Sequence, residues 1–120
     1  MSKTRRTGTD HENQTRDYLN ANGFGVEREA FSSPLGDLKG APATIECKSH
    51  KHITLSDFLE QTKRSDARTG HDMPIVVVKR RQHNIKDAYF VTDLEHGARL
   101  LKAYQICLEI GLLEEGATDG

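Results

Sequence analysis

At 120 residues, with 35% hydrophobic and 29% charged residues and a net charge of −1, the chain has room for one domain with a modest core, not for two. Its longest purely apolar run, Ile75 to Val78, is far too short to cross a bilayer, and the basic start at Lys3, Arg5 and Arg6 has no apolar stretch behind it. Neither a membrane span nor a secretory leader is therefore expected.

Charge is unevenly spread: residues 1–92 hold 15 Lys/Arg against 12 Asp/Glu, whereas residues 93–120 hold 2 against 6. A mildly basic body with an acidic tail is compatible with a phosphate-bearing partner without requiring one. Cys47 and Cys107 both fall in apolar-patterned segments, so reduced thiols and a cytoplasmic setting are expected, in a cell or as a viral protein in a host.

Residues 1–8 read as a flexible basic arm. Thr9, with Glu12 three residues later, has the capping-box pattern, which predicts a helix from there to about Asn22, stopped by Gly23. Its inward stripe is thin: His11, Thr15, Tyr18 and Leu19. From Phe24 the period changes to two, giving a strand that ends before Ser32-Ser33-Pro34. Asp37 and Leu38 begin a second short strand, Lys39-Gly40-Ala41-Pro42 makes a turn, and residues 43–49 form a third strand. There Ala43, Ile45 and Cys47 share one face, and Thr44, Glu46 and Lys48 the other.

Ser56 is the expected cap of a second helix that turns Phe58, Leu59 and Thr62 inward and ends near Gly70. Pro74 opens a buried strand, and Ala88 to Val91 supplies another across a hairpin loop. Thr92 or Asp93 caps a last helix, residues 93–115, with Leu94, Ala98, Leu101, Ile106 and Leu108 among its apolar positions. Residues 116–120 form a tail. The pattern αβββαββα predicts one α/β (α+β) domain over residues 9–115, a mixed sheet flanked by helices.

Glu46 and Lys48 lie two apart on one strand and reach the same side, and Asp37 begins the adjoining strand across a tight turn. Paired carboxylates are the hard oxygen ligands a divalent cation needs, and the Cys47 carbonyl can add another. Such an ion polarises a phosphate and acidifies the attacking water, and a neighbouring lysine stabilises the charge that develops. The combination suits phosphodiester hydrolysis. Cys47 with His50 and His52 does not have a zinc-finger spacing.

Pro34-Leu35-Gly36-Asp37, eight residues, then Glu46-Cys47-Lys48 resembles the bipartite signature of the PD-(D/E)xK nuclease superfamily. Gly8-Thr9-Asp10-His11-Glu12 and Gly23-Phe24-Gly25-Val26 resemble, within it, the archaeal-type Holliday-junction resolvases, and the likeness covers roughly residues 3–92. It implies a restriction-endonuclease-like core and an endodeoxyribonuclease acting on four-way junctions. It further implies that Glu12 completes the acidic cluster, that Asp37 and Glu46 hold magnesium (manganese substituting), and that Lys48 acts on the water or the transition state. Gln61 is followed four positions later by Ser65, unlike the tyrosine of the exonuclease branch.

Cleaving two strands symmetrically needs two sites, hence a homodimer is expected. The apolar stripe of the last helix suits either its own sheet or a subunit contact. Arg5, Arg6, Lys51, Lys63, Arg64, Arg68, Arg80 and Arg81 are the candidate contacts to the DNA backbone. With no tryptophan and few other aromatics, base stacking is not expected. Two other readings stay open: a restriction- or repair-type endonuclease on duplex or mismatched DNA, and a non-catalytic DNA-binding domain.

Overall fold

The computed structural model describes residues 3–31, 33–49, 54–80 and 82–113, with side chains from Thr9 onward. Nine elements follow one another: α1 (Lys3–Ala21), β1 (Glu27–Arg28), β2 (Leu38–Lys39), β3 (Thr44–Lys48), α2 (Leu55–Thr69), β4 (Pro74–Val78), a single 3-10 turn (Ile85–Asp87), β5 (Tyr89–Val91) and α3 (Leu94–Glu109). The strands form one mixed sheet in the order β1-β2-β3-β4-β5, in which only β3 and β4 run parallel. No described helix is long and apolar enough to cross a membrane.

A parallel pair cannot be closed by a tight turn, so the chain between β3 and β4 must cross over, and α2 is that crossover. All five residues of β4 are buried, as expected for a strand covered on both faces. The two coverings differ chemically. On the α1 side an apolar cluster joins Val26, Leu38, Ala41, Ala43, Ile45, Ile75 and Val77, with Leu19 and Cys47 against it. On the α2 side the buried helical residues are Thr62, Ser65 and Asp66. Asp66 satisfies its carboxylate with the Thr44 hydroxyl at 2.8 Å and the Met73 N–H at 3.1 Å. Beside them on the same face, Pro74, Val76 and Val78 of β4 are fully buried, so α2 is held by apolar strand residues as well as by paired polar groups.

Several local expectations are corrected. α1 starts at Lys3, not Thr9, so residues 3–8 continue the helix and Thr9 caps nothing. A capping box contributes only about 1 kcal/mol, and Lys3, Arg5 and Arg6 are good helix formers that extend the helix past it. On the thin stripe His11 and Thr15 are buried, but Tyr18 is exposed. Loss of hydration lowers the pKa of the buried His11, whose Nε2 lies against the Val77 carbonyl at 3.1 Å. Phe24 does not share the strand face of Val26. It follows the helix stop at Gly23, its N–H returning to the Leu19 carbonyl at 3.1 Å, and it stays exposed. Thr54, not Ser56, precedes α2, without a side-chain cap bond.

α3 is capped by Asp93, which accepts the His96 N–H at 2.9 Å. Asp93 also pairs with Lys63 of α2 at 2.9 Å, and His96 and Arg99 both reach Asp72, ahead of β4. Those carboxylates hold the His96 pKa above its ordinary value, the bond to Asp93 most of all. Beyond this polar anchor the helix does not close over its own sheet.

The turn between β2 and β3 depends on Gly40. Its φ is +107°, and a Cβ there would drive into the Gly25 carbonyl. Gly40→Ala is therefore expected to destabilise the fold by about 2 kcal/mol or more, read as a fall in the denaturation midpoint. An equivalent substitution at Gly70, where nothing lies within 4 Å of such a Cβ, should cost about 1 kcal/mol, from its positive φ alone.

Candidate active site

Asp37 reaches its position through backbone bonds on both sides. Its N–H donates to the Ile45 carbonyl at 2.8 Å, and its carbonyl accepts the Glu29 N–H at 2.8 Å. Gly36, with φ of +98°, supplies the preceding turn; a Cβ there would sit 3.1 Å from the Ile45 carbonyl oxygen. The Asp37 carboxylate then turns across to β3 and accepts the Cys47 N–H at 2.7 Å. The N–H and C=O of one strand residue point to the same edge, so the Cys47 carbonyl lies on the Asp37 edge of β3. The ladder to β2 has already ended there at Leu38–Ile45.

Glu46 and Lys48 leave the opposite face of β3, toward α2. Ser65 Oγ donates to Glu46 at 3.4 Å, and Lys48 Nζ donates to Gln61 at 2.8 Å while lying 5.4 Å from the centre of the Phe58 ring. Glu12, freed from any capping role, accepts a hydrogen bond from Arg28 at 3.2 Å. Glu12, Asp37, Glu46, Cys47 and Lys48 line one cleft of about 630 Å³, together with Glu29, Gln61, Arg64, Ser65 and Arg68.

The electrostatics of this cleft are costly without a cation. Burial pushes the Glu46 carboxyl up to about 8; the adjacent Asp37 adds to the shift by repulsion and by sharing a proton, and Lys48 and Ser65 only partly oppose it. Burial and then Asp37 raise Glu12 as well, against the pull of Arg28. The Cys47 thiol is driven upward by burial, so sulfur is a poor anion here and oxygen is the donor on offer. Crowded, partly dehydrated carboxylates, Glu46 among them holding its proton at neutral pH, form a donor set suited to a hard divalent ion.

The expected DNA contacts divide. Arg64 and Arg68 face the cleft. Lys63 does not: its ammonium is engaged by Asp93. Arg80 stacks over Tyr89 at 5.1 Å on the β4–β5 hairpin, away from the cleft lining. Helix α1 carries Arg5 and Arg6, whose side chains lie outside the described residues, as do Lys51 and Arg81 altogether, and His50 and His52 with them.

Sequence reasoning passed over Glu29, Ser65 and the contact of Gln61 with Lys48. A signal existed, because Gln61, Arg64, Ser65 and Arg68 fall at i, i+3, i+4 and i+7, one face of the crossover helix. A second set of potential ligands, Asp93, Glu95 and His96, lies at the start of α3. There Asp93 is already occupied by the His96 backbone and ring and by Lys63, which accounts for it as a helix anchor. Comparison with protein-family models and with curated proteins finds no match for this chain.

The raised Glu46 pKa has a consequence for stability. Between the ordinary carboxylate range and about 8 the folded chain holds a proton that the unfolded chain has lost. Stability in chelator should therefore fall as pH rises across that window and level off above it. Glu46→Gln abolishes this term. Its melting temperature is expected to match wild type near pH 5 and exceed it by several degrees at pH 8.5, on the order of 1–3 kcal/mol, in thermal scans without metal.

Proposed function

We propose that this chain is a divalent-metal-dependent endodeoxyribonuclease of the PD-(D/E)xK type that hydrolyses phosphodiester bonds in four-way DNA junctions. The observation that carries the reading is the convergence of Asp37, Glu46 and Lys48 on one cleft that Arg64 and Arg68 also line. Asp37 and Glu46, with the Cys47 carbonyl and Glu12 beside them, would hold magnesium or manganese. When bound, that ion supplies Lewis acidity to the phosphate and to water.

The protein's own groups have separable roles. Asp37, fixed by the Cys47 N–H, presents a carboxylate whose direction is set by backbone and not by a free rotamer. Lys48, held by Gln61, keeps an ammonium beside the acidic cluster, where charge accumulates on phosphate oxygens as the bond to the leaving oxygen breaks. Arg64 and Arg68 add cations for the flanking backbone phosphates. Free Cys47 and Cys107 suit a reducing cytoplasm. Paired cuts across a junction ask for two copies of this site, hence a homodimer.

The test is cleavage of a four-way junction and of linear duplex of the same sequence, in magnesium and in manganese. Wild type should cut the junction in preference, and Asp37→Asn and Lys48→Ala should each lose about a hundredfold or more in rate. Absence of cleavage by wild type in either metal overturns the enzyme reading. Equal cutting of linear duplex overturns the junction preference, and unaltered cutting by both variants overturns the site. Arg64→Ala and Arg68→Ala should each weaken junction binding and lower the slope of log affinity against log salt by about one, measured by fluorescence anisotropy.

A further inference from the structure

Every residue from Ala98 to Ile106 is exposed, although this stretch includes Leu100, Leu101, Tyr104 and Ile106. An isolated helix of this length is marginal in water, and helices in proteins draw most of their stability from burying an apolar face. α3 has such a face and, among the described residues, leaves it open. Leu94, Gly97, Leu101, Tyr104 and Leu108 recur at spacings of 3, 4, 3 and 4, which aligns them in one seam along the helix. Leu94 is 87% and Leu101 68% exposed.

We infer that this seam is the contact between two copies of the chain, paired through α3 about a two-fold axis. Several features favour a second copy. The seam carries no charge, and the opposite face mixes Glu95, Arg99, Lys102 and Glu109, so neither side presents the single sign that a nucleic acid or a strongly acidic partner would select. A heptad seam is self-complementary, as a two-fold contact requires. The area is also adequate. Leu94, Leu100, Leu101 and Tyr104, extended by Leu112 and Leu113 beyond the helix, leave on the order of 700 Å² open, against roughly 800 Å² per partner in a standard interface.

The residues that directly follow are a poor alternative occupant. Residues 114–120, Glu-Glu-Gly-Ala-Thr-Asp-Gly, hold no large apolar side chain. Continuity supports the same surface. Past Glu109 the chain turns back at Gly111, where the Leu112 N–H reaches the Cys107 carbonyl at 2.9 Å and keeps Leu112 beside the last turn. At the other end, Phe90 of the edge strand β5 is exposed as well. The polar anchor at Asp93, His96 and Asp72 fixes the root of the helix, so pairing two α3 helices couples two rigid bodies and not two loose arms.

Only the link to paired strand cutting rests on the nuclease reading; the contact itself stands on exposure and spacing. Sedimentation equilibrium of the full chain tests it without any activity readout. Wild type should sediment at twice its 13.4 kDa. Leu101→Glu, which enters the contact once from each copy, should raise the dimer dissociation constant at least about a hundredfold. Ile106→Lys, on the opposite face, should leave the dimer intact. Amide-exchange protection of β3 and β4 verifies that each variant keeps its sheet, and Leu94→Glu is the second seam variant if Leu101→Glu loses it. A monomeric wild type overturns the inference, as does a dimer that survives both seam substitutions or is broken by Ile106→Lys. A dimer that cleaves no DNA leaves the contact standing and removes the nuclease reading alone.

Discussion

The parallel pairing of β3 with β4 is the constraint on which the rest of this molecule depends. It obliges the intervening chain to cross over, and the helix that does so, α2, lies on the face of β3 that carries Glu46 and Lys48. Glu46 and Lys48 then find their neighbours on that helix. Ser65 stands over Glu46, Gln61 holds Lys48, and Arg64 and Arg68 continue along the same face. Without that crossover helix over β3, Glu46 would lose much of the burial that is the largest cause of its raised pKa.

The two layers against the sheet divide the work. The α1 side is an apolar cluster of ordinary kind and supplies burial energy. The α2 side sets the buried Val76 and Val78 beside hydrogen-bonded threonine, serine and aspartate groups, in which Thr44, Asp66, Thr69 and Met73 satisfy one another. A polar layer is less stabilising per residue than an apolar one, but it permits a carboxylate such as Glu46 to be buried next to it. That is the trade expected where a site is assembled for charge rather than for stability. The proposed function uses this directly: the carboxylates are most strained where a cation would relieve them.

α3 stands apart from this arrangement. Its root is tied by ion pairs to α2 and to the loop before β4, and its length contributes little to the core. Lys63 illustrates the consequence. On sequence alone it belongs with Arg64 and Arg68 as a phosphate contact, yet the Asp93 cap draws it to the anchor of α3. A charge run on a helix splits between faces, and only the packing partner says which member is spent internally.

Much of the candidate site was legible before any coordinates. Two-residue alternation put Glu46 and Lys48 on one face of a strand and Ile45 and Cys47 on the other, because side-chain direction in a strand has a period of two whatever the context. The buried run Pro74–Val78 and the helix stops at Gly23 and Gly70 were equally local. Local patterns failed where the competing energies were small. The Thr9–Glu12 box and the Ser56 cap each represent about 1 kcal/mol, which helix propagation outweighs. What only the tertiary structure decided is long-range: the Asp37 carboxylate on the Cys47 N–H, the pairing of Lys48 with Gln61, the Arg28 contact that gives Glu12 its place, and the exposure of the α3 seam. Each joins residues that no periodicity relates, since their proximity follows from the sheet register and the crossover and not from spacing along the chain.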